Sequence, residues 1–445
     1  MKKSLSKFES LMLFLLPIVV FFSYYPLIKL GQSDSMNFEL SLPLIWLAIF
    51  GTASILRMPK VAKKLGILKC LIICAFPIYA TLAILWSDNK TRGILTAGIL
   101  WLIVFSVVNI LNMKLDKEYL KRLLKIYLIS AVVAAAICIL QCILDIFGVS
   151  RDITMLCPGC TYKTLGFPHP NGLAIEPQFM GNLLIAPALI SLGLFYNAIK
   201  SKKDKRTAFG FGALSFFIIM VLYICFSRGA LYAFGIAGIV FGIILIIRDK
   251  SARPFWLLAP AILGCIFGLL AQGVFAEISP TAENFAQGIQ RSIHQVTLGK
   301  IDIREKVEDS GEQSSFSGYI EESTDVRLDL NKYAVQTWQN NNILFGVGLG
   351  NAGTAMDKQF SIGQKEIIQN EYINILTELG IVGIVIIIAV IIYMIKISKW
   401  PKSAVIMPII IAYLVTLGFF SGFPNVLHIY LLTPVIYGLG QKRLL

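Results

Sequence analysis

The sequence predicts an all-α, polytopic membrane protein of about twelve transmembrane helices, with one large extracytoplasmic loop late in the chain. Three observations carry that expectation. Of the 445 residues, 56% are hydrophobic and only 15% charged, whereas a soluble domain needs roughly 25% charged residues to cover its surface. The apolar residues gather in runs near the roughly 20 residues that a helix needs to cross a hydrocarbon core of about 30 Å. The positive charges gather between alternate runs. A mean hydropathy of +0.73 excludes disorder, and the lack of polar surface excludes the several soluble domains that this length would otherwise suggest.

The runs can be justified in order. The first, near 11–30, follows Lys2, Lys3 and Lys7, and no small-residue cleavage site follows it, so it reads as a span and not a cleaved signal. Runs near 39–56, 70–86, 93–113 and 126–147 come next. The run near 173–199 contains Pro177, Gly181, Asn182 and Pro187, which could bend or break it. Three more lie near 207–226, 229–247 and 255–275; the last three lie near 371–395, 404–420 and 426–440. The chain thus divides into helices 1–9 over residues 1–275, a loop over 276–368, and helices 10–12 over 369–445.

With the N-terminus inside, 26 of the 40 Lys and Arg residues fall on the inner side. Five (Lys90, Arg92, Arg151, Lys163 and Arg228) fall in the short outer loops. The positive-inside rule then makes both termini cytoplasmic. A net charge of +14 with a pI near 9.3 would suggest nucleic acid in a soluble protein. Here it reads as an orientation signal, and no nucleic-acid partner is expected. The 276–368 loop has the opposite character, with 13 acidic against eight basic residues and a Gly/Ser-rich stretch at 310–318. Its length argues for a partly helical unit, not a bare connector.

Eight cysteines and three histidines bound the metal chemistry. Cys70/Cys74 and Cys138/Cys142 are i, i+4 pairs inside apolar runs and read as small packing residues. Cys157-Pro-Gly-Cys160 lies in an outer loop, where a disulfide can persist. Its spacing is also that of redox motifs, but no βαβ context accompanies it. His169, His294 and His428 stand at no metal-ligand spacing, so a metal site is not supported and no cofactor is expected.

Charges at a membrane edge are costly and mark function. Four constellations share the outer side. One runs from Lys163-x-x-Gly166 through Pro168-His169-Pro170-Asn171 to Glu176. The next is Ser227-Arg228-Gly229, at a handover between two spans. Arg327 and Trp338 then lead into Gly346-x-Gly348-x-Gly350-Asn351. Last comes Gln369-Asn370-Glu371-Tyr372, followed by Glu378-x-Gly380. The glycine run follows no Rossmann strand, so it suits a tight turn or close backbone approach better than a dinucleotide.

In order and spacing these pieces resemble the O-antigen ligase and O-antigen (surface polysaccharide) polymerase superfamily of bacterial envelope glycosyltransferases. Three segments carry the resemblance: SRGALYAF, VRLDLNKYAVQTWQNNNILFGVGLGN and QNEYINILTELGIVG. It covers roughly residues 160–400 and implies a GT-C-like fold in the bacterial cytoplasmic (inner) membrane, with the loop periplasmic or extracellular. Two positions depart from the family pattern. Lys163 stands for an arginine, keeping the charge but not the bidentate fork. Gln369 stands for a histidine, and an amide cannot act as a general base.

The resemblance implies a glycan donor carried on polyprenyl pyrophosphate, used without a metal. Arg228 and Arg327 would stabilise the departing pyrophosphate, since guanidinium forks match phosphate oxygens. Glu371 would take the acceptor proton with Gln369 beside it. Lys163, Asn171, Glu176, Trp338, Asn370 and Glu378 would bind substrate. The acceptor would be a growing glycan, a lipid A core or a protein such as a pilin; membrane lipids and a chain-length regulator are further partners. The missing histidine favours polymerisation of repeat units over ligation. A transporter or flippase is the contrasting expectation, but it should show an inverted repeat with paired broken helices. The sequence offers only one interrupted run, at 173–199.

Overall fold

The computed structural model describes residues 6–33, 36–113, 115–201, 205–249, 253–280, 284–297, 315–362, 368–397, 403–419, 423, 426–442 and 444–445. Nine of the charges counted for orientation (Lys2, Lys3, Lys114, Lys202, Lys203, Lys250, Lys399, Lys402 and Arg443) lie outside the described residues, as does most of 310–318.

The chain is an all-helical integral membrane bundle with one hairpin. α1 (Lys7–Val19) opens on a capping box, in which Ser6 and Glu9 satisfy each other's backbone N–H groups. The chain then turns into β1 (Leu27–Ser33) and β2 (Met36–Ser41), an antiparallel pair with Lys29 opposite Glu39. The all-α expectation holds; this short hairpin corrects only the ends predicted for the first two spans, which it occupies. α2 (Leu42–Ile55) and α3 (Met58–Leu65) meet at a 60° bend. α4 (Ile67–Leu82), α5 (Lys90–Asn112) and α6 (Lys117–Ile146) follow, and then two single turns, α7 (Arg151–Thr154) and α8 (Tyr162–Leu165).

α9 (Pro177–Lys200) is the centre of the bundle, packed against α6, α10 (Lys205–Ile224), α11 (Arg228–Arg248) and α17 (Ile406–Leu417). It is the run whose prolines threatened a break, yet it is one continuous helix, buried along nearly its whole length. Pro177 sits at the first helical position, where the missing N–H costs nothing. α12 (Leu258–Ile278) lies against α10. Within 276–368 the chain forms α13 (Phe285–Val296), α14 (Ser315–Asn340) and α15 (Ala352–Phe360). α16 (Glu371–Ile397) packs on α4 and α14, and α18 (Leu427–Gln441) on α5 and α6.

Among the described residues, eight helices are long and apolar enough to cross a membrane, or nine if the bent α2–α3 pair counts as one span. These eight fall on eight of the twelve predicted runs. The other four predicted runs hold α1, α2, α17 and α18, helices of only 12 to 15 residues. The hairpin shortens α1 and α2, and in α1 and α18 a proline lies inside what helix remains.

The feature that organises one end of the bundle is a break in α16. Gly380 has φ 64° and ψ −169°, outside the helical region, so backbone groups on both sides lose their helical partners. The glycine-rich segment supplies replacements. Val347 N–H donates to Thr377 O (2.9 Å) and Gly348 N–H to Glu378 O (2.9 Å). On the far side, Ile381 and Val382 N–H donate to Ile343 O (3.2 Å) and Leu344 O (3.1 Å). Unpaired backbone groups are too costly to leave in an apolar interior, so irregular backbone survives only where protein satisfies it. Tyr79 Oη adds a bond to Leu379 O (2.8 Å).

Close approach demands glycine at both partners. A Cβ on Gly346 would meet the Glu378 backbone at 2.5 Å, and one on Gly380 would meet the Leu344 carbonyl. Both residues also hold positive φ. We expect Gly346→Ala and Gly380→Ala each to cost about 2–4 kcal/mol, combining left-handed strain and overpacking. Gly98→Ala on α5, with open space around it, should leave stability nearly unchanged. Thermal melting in nanodiscs checks the contrast, and equal melting temperatures for all three would remove the argument.

Candidate functional site

The loops at 84–93, 155–176, 226–229, 341–351, 368–370 and 418–419 meet at the end of the bundle where α16 begins. Backbone bonds join Tyr24 to Leu173 (2.9 Å) and Gly346 to Asn342 (2.7 Å). Asn370 Nδ2 reaches Gly418 O (2.9 Å). Two cavities open among these loops.

The first, about 920 Å³, is lined by Arg228, Arg327, Gln369 and Glu176, four of the residues nominated from sequence. The Ser227-Arg228-Gly229 turn explains how the arginine comes to be there. Phe226 adopts left-handed φ (56°), Ser227 caps α11 by accepting from Ala230 N–H (3.3 Å), and Arg228 becomes the first helical residue. A positive side chain at the positive pole of a helix dipole is unfavourable, so this corner attracts anions. Arg327, half-buried on α14, lies close enough to repel Arg228. A carboxylate, Glu176, shares the cavity and accepts from Gln178 Nε2 (3.0 Å).

The second cavity, about 710 Å³, is mainly apolar and runs along α4, α5 and α16, from Met394 to Gly350. Glu371 and Glu378 line this one and not the first. Glu371 is buried and accepts from Phe423 N–H (3.3 Å). Glu378 is also buried, accepting from the Gly350 and Ala352 N–H groups with Arg92 nearby. It anchors the glycine-rich segment at the start of α15. Ile175 lines both cavities.

The remaining nominated residues stand outside both cavities. Asn171 is fully buried and clamps its loop: Nδ2 donates to Met155 O (3.2 Å) and Ala174 O (2.6 Å), and Oδ1 accepts from Cys157 N–H (3.2 Å). Lys163 is exposed, with its charge beside Asp145. Trp338 Nε1 fastens the turn after α14 to Ile343 O (2.9 Å). Asn370 caps α16 through Tyr372 and Ile373 N–H (3.0 and 3.1 Å) while holding the end of α17. Cys157 and Cys160 are joined in a disulfide at the rim of the first cavity.

Among the polar residues of the first cavity that were not singled out by sequence as binding residues, four are informative. Tyr232 and Asn331 are each four positions after an arginine, on the same helix face as Arg228 and Arg327; that spacing was a readable signal. Asn182 is buried on α9 and accepts from Thr416 Oγ1 (3.2 Å). Its polarity inside an apolar run was the only hint.

His169 is the fourth. Its ring packs edge-on against Phe226 (5.6 Å) and donates to the Phe226 carbonyl, while Nε2 is buried without a partner among the described residues. Burial pushes its pKa down to about 4, from an ordinary value near 6.5. Between those values the unfolded chain binds a proton that the folded site refuses. Stability is therefore full above about pH 6.5 and declines as pH falls toward 4. We expect His169→Gln to remove up to about 3 kcal/mol of that decline. Melting curves at pH 7 and pH 4.5 check this, and an unchanged pH dependence would contradict it.

No curated protein matches the chain. A family model described as O-Antigen ligase matches residues 213–388, from within α10 to within α16, a stretch that includes Arg228, Arg327, Gln369 and the stitched break at Gly380. The sequence resemblance is thereby borne out: over this stretch the chain is similar to the O-antigen ligase and polymerase superfamily.

Proposed function

We propose that this protein is a glycosyltransferase of the outer face of the cytoplasmic membrane. It moves glycan from a polyprenyl-pyrophosphate donor, polymerising repeat units of a surface polysaccharide. The observation that carries the reading is the pairing of cavities. One holds two arginines at the positive pole of α11, and the other is an apolar channel between spans, with Ile175 on the wall of each. A ligand with an anionic head and a long apolar chain suits that pair.

In this reading an acceptor hydroxyl attacks the anomeric carbon of the donor sugar. The bond from that carbon to the phosphate oxygen breaks, and its electron pair leaves with the pyrophosphate. Arg228 and Arg327 meet the growing negative charge. The hydroxyl proton passes to Glu176, the nominated carboxylate that shares the arginine cavity, while Gln369 orients the hydroxyl through its amide. Glu371 and Glu378 then serve the second cavity and the backbone. The amide at Gln369 is the reason to favour polymerisation over ligation to a lipid A core or protein.

The test is purified protein with lipid-linked repeat units, read as a ladder of products. Arg228→Ala and Arg327→Ala should each lower transfer at least about 10²-fold. Glu176→Gln should lower it by about 10²–10⁴-fold with donor binding kept. Product yield and length at the unsubstituted level in both arginine variants would sink the reading.

A further inference from the structure

A third opening, a polar pocket of about 460 Å³, lies between the turn after α4 and the connection from α14 to α15. It falls within the roughly 300–1,000 Å³ range of small-ligand sites; no residue given a catalytic or substrate-binding role from sequence lines it, though Gly346 and Asn351 of the glycine-rich constellation do. Its walls are unusually rich in amides. Asn340, Asn341 and Asn342 come from the end of α14, and Asn351 from the glycine-rich segment. Asn351 is buried; its Nδ2 donates to Val347 O (2.8 Å), but Oδ1 has no partner among the described residues. Asn342 uses its oxygen on Leu344 and Phe345 N–H (both 3.1 Å), so among the described residues its amide N–H groups stay available to a ligand. Trp86 forms an aromatic wall, steadied by an edge contact with Phe345 (6.1 Å) and 39% exposed.

The charges argue about the class of ligand. Asp88 and Lys358 face each other at 3.0 Å, so the pocket offers neither a net positive site for phosphate nor a net negative one for a cation. What remains is a neutral set of planar amides beside an aromatic face. Amides can donate to and accept from neighbouring hydroxyls, and the ring can cover the C–H face of a sugar.

Placement adds a second argument. Leu349, Gly350 and Ala352 line the apolar cavity, while Val347, Asn351 and Ala355 line this pocket. One segment therefore separates an apolar space from a polar one. The helix that carries Arg327 ends at Asn340, 13 residues on, or about 20 Å along the axis.

We propose that this pocket is a saccharide subsite, holding neutral sugar residues of the acceptor glycan about a repeat unit away from the arginines. The proposal rests on the transferase reading for its role, but binding can be measured without transfer. The probe is a set of oligosaccharides released by mild acid from the source organism's own surface polysaccharide. They are added to the full chain in nanodiscs and followed by saturation-transfer NMR and tryptophan fluorescence.

The unsubstituted protein should bind them. Trp86→Ala and the surface change Asn340→Ala should each weaken binding about tenfold, with melting temperatures unchanged, whereas Trp86→Phe should restore most of it. Arg228→Ala should bind as the unsubstituted chain does. In the transfer assay, Trp86→Ala and Asn340→Ala should raise the acceptor KM about tenfold, shorten the products and leave kcat nearly intact. No binding to the unsubstituted chain, or binding and KM unmoved in both folded variants, overturns the subsite. If the oligosaccharides bind through Trp86 and Asn340 while no ladder ever forms, the subsite stands and the transferase reading falls.

Discussion

Four backbone hydrogen bonds across a broken helix hold this end of the molecule together. α16 is interrupted at Gly380, and the segment 343–348 takes up the carbonyl and N–H groups that the interruption exposes. An apolar surround allows no cheap alternative. The loop must lie there, and once it does, three things are located. The end of α14 is fixed, the Glu378 carboxylate is turned to the start of α15, and the glycine-rich segment becomes a partition between two openings. Asn370 and Asn351 then act as local fasteners on a frame already set.

The same economy appears at the loop near Asn171. Gln141, buried on α6, donates to Thr154 O (2.9 Å) and Gly172 O (2.8 Å) and accepts from Gly172 N–H (2.8 Å). Asn171 makes three more bonds to the same loop. Two amides therefore satisfy a stretch of irregular backbone and carry Glu176 and His169 to the wall of the arginine cavity. Asn171 shapes the site through the backbone and not by touching its contents.

Much of the architecture was legible, because apolar run length reports directly on membrane crossing. Eight runs became long helices, and α9 survived its prolines since one lies at the helix start and its neighbours bury the rest. The hairpin at 27–41 was not legible: alternation over so few residues is drowned by the apolar runs on either side. At the site, Arg228, Arg327, Glu176 and Gln369 share one cavity; Arg228, Glu176 and Gln369 sit at helix ends or in loops fixed by nearby sequence, whereas Arg327 lies within α14. Glu371 and Glu378 line the second cavity and not that of the arginines, a division that was not legible because sequence order along α16 says nothing about which face each carboxylate presents. Asn182, His169 and the amide pocket depend on contacts between segments far apart in the chain, which no spacing rule encodes.

The two arginines have a consequence for timing. Like charges held close at a helix pole are least comfortable when nothing lies between them, and an anion relieves both costs at once. The relief is a differential affinity, so occupancy itself favours the arrangement that keeps Arg327 near Arg228. The same relief opposes departure of whichever anion is bound. A site built this way grips the anion it admits, and release is the step it makes hardest.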